Sequence, residues 1–184
     1  MNDPDRCRSL ERMNTPALDD LLIRPAAESE YPAIGELTHA AYTGDYDDLS
    51  SGYQEQLRHP ERLVPSYDVW VAADRTTGEL LGTVSILRAG YDDDGRIGDD
   101  ELYFRLLAVS PSAHGRGIGT RLTEFALATA AERRAARVVL HSGENMLGAH
   151  ALYAKLGFSR LPEREMVVVD SGRRIQLYTF ALDL

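Results

Sequence analysis

The chain has 184 residues, 43% hydrophobic and 27% charged, with 15 Gly and 8 Pro, the profile of one globular domain large enough to bury its own core. Its single cysteine, Cys7, excludes a disulfide framework and a multi-cysteine metal site; with no signal-like start and no apolar run of membrane length, a cytoplasmic protein is expected. The formal charge of −9 argues against nucleic acid and anionic membranes as partners, and it is unevenly split: residues 1–101 carry 22 acidic and 9 basic side chains, net −13, whereas residues 102–184 carry 7 and 11, net +4.

Residues 1–20 show neither hydrophobic period and read as an N-terminal tail, so the domain is expected over 21–184. Leu21-Leu22-Ile23 predicts a first strand stopped by Pro25, and the stripe Ile34, Leu37, Ala41 predicts a helix over 28–42. A weaker helix follows over 53–63, ended by Pro65. The runs 68–73 (DVWVAA) and 80–87 (LLGTVSIL), joined by Arg75-Thr76-Thr77-Gly78, predict an antiparallel hairpin. After an acidic loop over 92–100 comes a strand over 102–109. In it Leu102, Phe104, Leu106 and Ala108 alternate with Glu101, Tyr103 and Arg105. An amphipathic helix over 117–134, a strand at 138–140, a helix over 148–156 closed by Gly157, and strands at 166–169 and 175–182 around Asp170-Ser171-Gly172 complete the chain. The order β-α-α-β-β-β-α-β-α-β-β predicts an α/β (α+β type) domain: a single mixed, mostly antiparallel sheet flanked by helices.

The strongest local signal lies between the 102–109 strand and the helix after it: Ser110-Pro111-Ser112-Ala113-His114-Gly115-Arg116-Gly117-Ile118-Gly119-Thr120. Alternating glycines permit positive φ and close backbone approach, and consecutive N–H groups at a helix start cradle anions. The dinucleotide fingerprint is excluded because its third Gly would fall on Leu122, and the phosphate loop because Gly-Lys-Ser/Thr is missing. A second segment, Gly148-Ala149-His150-Ala151-Leu152-Tyr153-Ala154-Lys155-Leu156-Gly157-Phe158, follows in order. Together the two segments resemble the GNAT superfamily of acyl-CoA-dependent N-acetyltransferases, and the order of elements from Leu21 to Leu184 is similar to that fold.

The resemblance implies acetyl-CoA as co-substrate and no metal. Leu107, Ala108 and Val109 would hold the pantetheine arm through their backbone, and His114, Gly115, Arg116, Gly117, Ile118, Gly119 and Thr120 the phosphates. It also implies that Tyr153 is the general acid for the departing thiolate; by periodicity alone Tyr153 reads as core. A general base from the 102–109 region is implied as well, with Glu101 first and Asp99, Asp100 and Tyr103 behind it. Glu101 equally reads as an exposed strand-edge charge. Two positions depart from the family pattern: His114 stands where Gln or Arg is usual, and Met146 where an Asn is usual, with Asn145 one residue earlier.

His39, His59, His141 and His150 lack metal-ligand spacing and read as ordinary surface or core histidines; Trp70 and Phe104 read as core. If the donor occupies the basic half, the acceptor meets the acidic loops 44–48 and 92–101. A cationic amine of a small molecule or peptide is therefore expected. The competing reading is a catalytically weak acyl-CoA-binding sensor or regulatory module. The acceptor's identity and the oligomeric state, a homodimer included, stay open.

Overall fold

The structure, a computed structural model, describes residues 20–46, 49–92 and 95–184. Expectations for residues 1–19, Cys7 among them, and for Asp47, Asp48, Asp93 and Asp94 lie outside the described residues. The described chain forms β1 (Leu21–Pro25), α1 (Tyr31–Asp45), α2 (Ser51–Leu57), β2 (Tyr67–Asp74), β3 (Leu80–Leu87), β4 (Glu101–Val109), α3 (Ile118–Glu132), β5 (Arg137–Gly143), α4 (Leu147–Lys155), β6 (Ser159–Arg160), β7 (Met166–Asp170) and β8 (Arg173–Asp183). The sheet runs β1-β2-β3-β4-β5-β8-β6, with β7 also on β8. Every pairing is antiparallel except β4 with β5. The expected mixed, mostly antiparallel sheet flanked by helices is the architecture found, with one two-residue strand, β6, added.

Several boundaries moved for local reasons. The helix expected to start at Glu28 begins as a 3-10 turn over Glu28–Glu30, and Pro32 sits in the first turn of α1, where its missing N–H costs nothing. The Glu30 carboxylate takes the Ala27 N–H at 2.8 Å and is clasped by Arg24 through two bonds of 2.7 Å, which joins β1 to the start of α1. α2 stops at Leu57 and not at 63, because Pro60 cannot continue it and opens a separate 3-10 turn. Ser50 caps α2 by accepting from the Tyr53 N–H, and its hydroxyl donates to Asp170, fastening α2 to the β7–β8 hairpin. Pro25 ends β1 as its last residue, on the edge of the sheet where no ladder donor is missed.

Both faces of the central strands are covered, which explains their nearly continuous apolar runs. On one face Ile34 of α1 packs over Val69 and Val71; on the other, Ala72, Leu81, Val84 and Phe104 meet Ile118, Leu122 and Ala126 of α3. Gly82 permits the second contact, because a Cβ there would lie 2.8 Å from the Ala108 carbonyl oxygen and 3.0 Å from Ile118 and Leu122. Among the described residues, no helix is long and apolar enough to cross a membrane.

Candidate active site

The site begins with an irregularity in β4. Thr83 of β3 pairs with Ala108 and Ser85 with Arg105, so Leu106 and Leu107 together oppose Val84 in a β-bulge. Leu106 adopts φ 51°, a left-handed backbone that costs a branched residue about 1–3 kcal/mol. The bulge corrects the simple alternation expected for this strand. Leu102 and Phe104 point into the main core, but past the bulge it is Leu107 and Val109 that pack against that core, one residue out of phase. On its other side β4 pairs with β5 only from Glu101 to Tyr103. Beyond Tyr103 the two parallel strands part, and the β4 backbone facing β5 is left without ladder partners from that strand.

A cleft of about 630 Å³ occupies the opening. It is lined by Leu107, Ala108 and Val109 of β4, by the turn residues His114, Gly115 and Gly117, by Ile118, Gly119 and Thr120 at the start of α3, and by Asn145 and Gly148 beside the start of α4. Gly115 (φ 75°) and Gly117 (φ 77°) are both left-handed, a conformation glycine adopts without strain. Gly117 is the N-cap of α3 and supplies no side-chain cap, so the first N–H groups of the helix keep their hydrogen-bonding capacity toward the cleft. His114 folds back on β4, its Nε2–H donating to the Val109 carbonyl at 3.2 Å. Asn145 lines the cleft, whereas Met146 is the N-cap of α4.

Arg116 stands apart from the rest of the turn. It is not among the residues lining the cleft. Its charge instead acts on Asp74, whose carboxyl is held below the ordinary range by the Thr77 and Thr76 N–H groups and by Arg116.

A smaller inner cavity of about 40 Å³ continues from the cleft, and the two share Tyr42, Tyr46, Leu107 and Ala149. Tyr153 of α4 forms one wall. Its ring packs on Phe104, Phe158 and Phe180 at centroid distances of 6.2, 5.8 and 5.7 Å. The ring is core, as periodicity predicts, and the residue also faces the cavity. Burial raises its phenol above the ordinary value, so it stays protonated at neutral pH.

Glu101 lies at the opposite end of β4 and lines neither cavity. Arg164 donates to its two oxygens at 2.6 and 2.9 Å, and the Gly98 N–H donates at 3.0 Å. Burial pushes its carboxyl up, but these partners hold it below the ordinary range. A carboxylate so engaged is a weak proton acceptor. Asp99 and Asp100 likewise lie outside both linings, and Tyr103 packs on Tyr67 and His141.

The inner cavity is completed by residues the sequence did not single out as functional: Tyr42 on α1 and Tyr46 at its C-cap, Arg105 on β4, and His141 and Ser142 on β5. His141, expected to be an ordinary histidine, is oriented. Thr179 donates its hydroxyl proton to the Arg164 carbonyl at 2.8 Å, so toward His141 Nδ1, 3.0 Å away, its oxygen must accept. In its neutral form the imidazole would thus carry its proton on Nδ1, which leaves Nε2 as the acceptor nitrogen. The Tyr42 and Tyr46 rings meet edge to face at a centroid distance of 5.8 Å where α1 ends. Nothing local marked Arg105 or His141.

The acidic loops meet the site only in part. Asp45 lines the cleft. Asp92 accepts the Arg96 and Ile97 N–H groups at 3.0 and 3.3 Å and so shapes its own loop.

The profile of the acetyltransferase (GNAT) family matches residues 31–158. A mycothiol acetyltransferase of Salinispora tropica is 33% identical over 153 residues, which cover 81% of this chain and 44% of that protein; the chain thus spans less than half of that relative's length. Among solved structures, a GCN5-related N-acetyltransferase of Rhodopseudomonas palustris superposes with a TM-score of 0.67 at 22% identity, covering 89% of this chain and 95% of the other. The YncA protein of Salmonella typhimurium, solved with its cofactor acetyl-CoA, superposes with a TM-score of 0.63 at 22% identity, covering 90% and 94%. Those two likenesses speak for the fold, and the family match for the class: the chain belongs to the acetyltransferase (GNAT) family.

Proposed function

We propose that this protein moves the acetyl group of acetyl-CoA to a primary amine of a small molecule or peptide, by direct attack within a ternary complex. The observation that carries this reading is one continuous opening. In it the unpaired, bulged backbone of β4, the glycine turn and Tyr153 meet. The turn and the free N–H groups of α3 bind the phosphates, and the β4 edge next to Leu107, Ala108 and Val109 pairs with the amides of the pantetheine arm. That placement brings the thioester to the bulge, beside Tyr153.

In the transfer, the amine nitrogen forms a bond to the acetyl carbon and the carbon–sulfur bond breaks. The sulfur leaves with the electron pair and takes a proton, and the amine gives one up. Tyr153 supplies the first proton; its buried phenol is protonated throughout the neutral range and can donate as charge develops on sulfur. The second is taken by His141 Nε2, whose lone pair is set by the Thr179 hydroxyl. This role passes from Glu101 to His141 because Glu101 is engaged by Arg164 and lines neither cavity.

The test follows thiol release from acetyl-CoA over a panel of amines, amino acids, aminoglycosides and peptides, with the acetylated product identified by mass. The acceptor of the mycothiol acetyltransferases belongs in that panel because of the similarity reported above. Acetylation of one amine class well above background is expected. Binding of CoA without turnover of any amine would replace this reading with the acyl-CoA sensor.

A further inference from the structure

Resting on that reading, we propose that the inner cavity recognises an acceptor by an anionic group, a carboxylate beside the amine, and that Arg105 is the residue that takes it. Arg105 projects from β4 next to the bulge and lines the inner cavity, adjoining the place assigned to the thioester. It is largely withdrawn from solvent. Its guanidinium lies 5.8 Å from the centroid of the Tyr67 ring, and the groups acting most strongly on its charge are Tyr103, Tyr67 and Tyr53.

Among the described residues, no carboxylate comes within ion-pair distance of Arg105, whereas Arg137 and Arg164, at the other end of β4, both reach Glu101. A guanidinium has five N–H donors, and phenol oxygens and ring faces satisfy only part of that capacity. Keeping such a cation in a narrow, largely protein-walled space is costly unless an anion joins it. Arginine also matches a carboxylate through two parallel bonds, which fixes the orientation of what it holds.

The size of the space fits the same conclusion. A volume of about 40 Å³ admits about three water-sized groups, enough for the carboxylate and α-carbon of an amino-acid-like head but not for a bulky ring. The remainder of the acceptor would extend past Tyr42 and Tyr46 into the wider cleft, where Asp45 provides a negative group for any distal cation. The expectation of a purely cationic acceptor is thereby narrowed: negative charge belongs to the outer cleft and positive charge to the inner end, so the matching ligand carries both signs.

The experiment compares matched acceptors, α-amino acids and acidic dipeptides against their carboxamides and decarboxylated amines, by thiol release and by thermal stabilisation of the CoA-bound protein. For the unaltered protein, kcat/KM for an acid is expected to exceed that for its amide by about 30-fold or more, the scale of a charge-assisted bond. Arg105→Gln should bring that ratio close to one while leaving the KM for acetyl-CoA unchanged, and Arg105→Lys should keep part of it. Amides or plain amines used as well as acids by the unaltered protein would overturn the proposal, a result that needs no folded variant. So would an acid preference that survives in Arg105→Gln. Thermal stabilisation by acids alone, lost in Arg105→Gln but unaccompanied by acetyl transfer, would uphold the anion site and remove the enzymatic reading instead.

Discussion

The two ends of the opening are made of different material. The outer cleft, proposed above for acetyl-CoA, is mostly backbone: a bulged strand edge, a turn of two left-handed glycines and the uncapped start of α3. The inner cavity is mostly side chains from four separate elements: Tyr42 of α1 with Tyr46 at its C-cap, Arg105 of β4, His141 of β5 and Tyr153 of α4. Backbone groups cannot be exchanged by substitution, so the outer cleft suits a ligand that never changes. Side chains can be replaced one at a time, which suits selection of an acceptor.

The contrast is tested most severely at Tyr153. Tyr153→Phe keeps the ring that packs on Phe104, Phe158 and Phe180 but removes the proton, so kcat should fall by about 100-fold or more with the KM for acetyl-CoA nearly unchanged. A steady-state comparison of the two proteins that finds equal kcat removes Tyr153 as the acid. Next in size, His141→Asn should lower kcat by about 100-fold, whereas Glu101→Gln should act chiefly on thermal stability, because it loosens Arg164 and the Gly98 turn. The opposite ranking in the same assay would return the proton-accepting role to Glu101.

At the outer end, Gly117→Val would force a β-branched residue into φ 77° at the N-cap of α3. The strain, about 1–2 kcal/mol, should lower Tm by about 5 °C, and acetyl-CoA should bind about 10-fold more weakly by calorimetry. Unaltered affinity would mean that the turn is a connection and not a cradle.

The smallest effect is expected away from both ends, at Glu30. Its bonds to Arg24 and the Ala27 N–H, set against burial, lower its carboxyl to about 2. A depressed folded value means that the stabilisation is fully present above the ordinary carboxylate range and is lost as pH falls through about 2. Glu30→Gln should therefore cost about 1 kcal/mol or less at pH 7, and the difference should close in strongly acidic solution. Denaturation at the two pH values measures it; a difference that grows on acidification would contradict the assignment.

The fold was legible because its signals are local. Strand β3 falls where its apolar run lies, the 75–78 connection predicts the β2–β3 hairpin, and the 148–156 helix ends at a left-handed Gly157. The errors had two causes, one local and one not. Pro60 cut α2 short, and the bulge at Leu106 and Leu107 shifted the phase of β4, which no pattern of alternation can foresee because a bulge is set by the neighbouring strand.

The sequence by itself determined the donor side, since the glycine turn and the start of α3 are contiguous and act through backbone geometry that glycine spacing reveals. Only the tertiary structure decided the acceptor side. Tyr42, Arg105, His141 and Tyr153 come from four elements brought together where β4 and β5 part, while Glu101, four residues before Arg105, lies at the other end of β4 bonded to Arg164. Charge counted along a sequence cannot register such pairings: the acidic half contributes Asp45 to the outer cleft, while the cation at the inner end projects from the same strand that begins with Glu101.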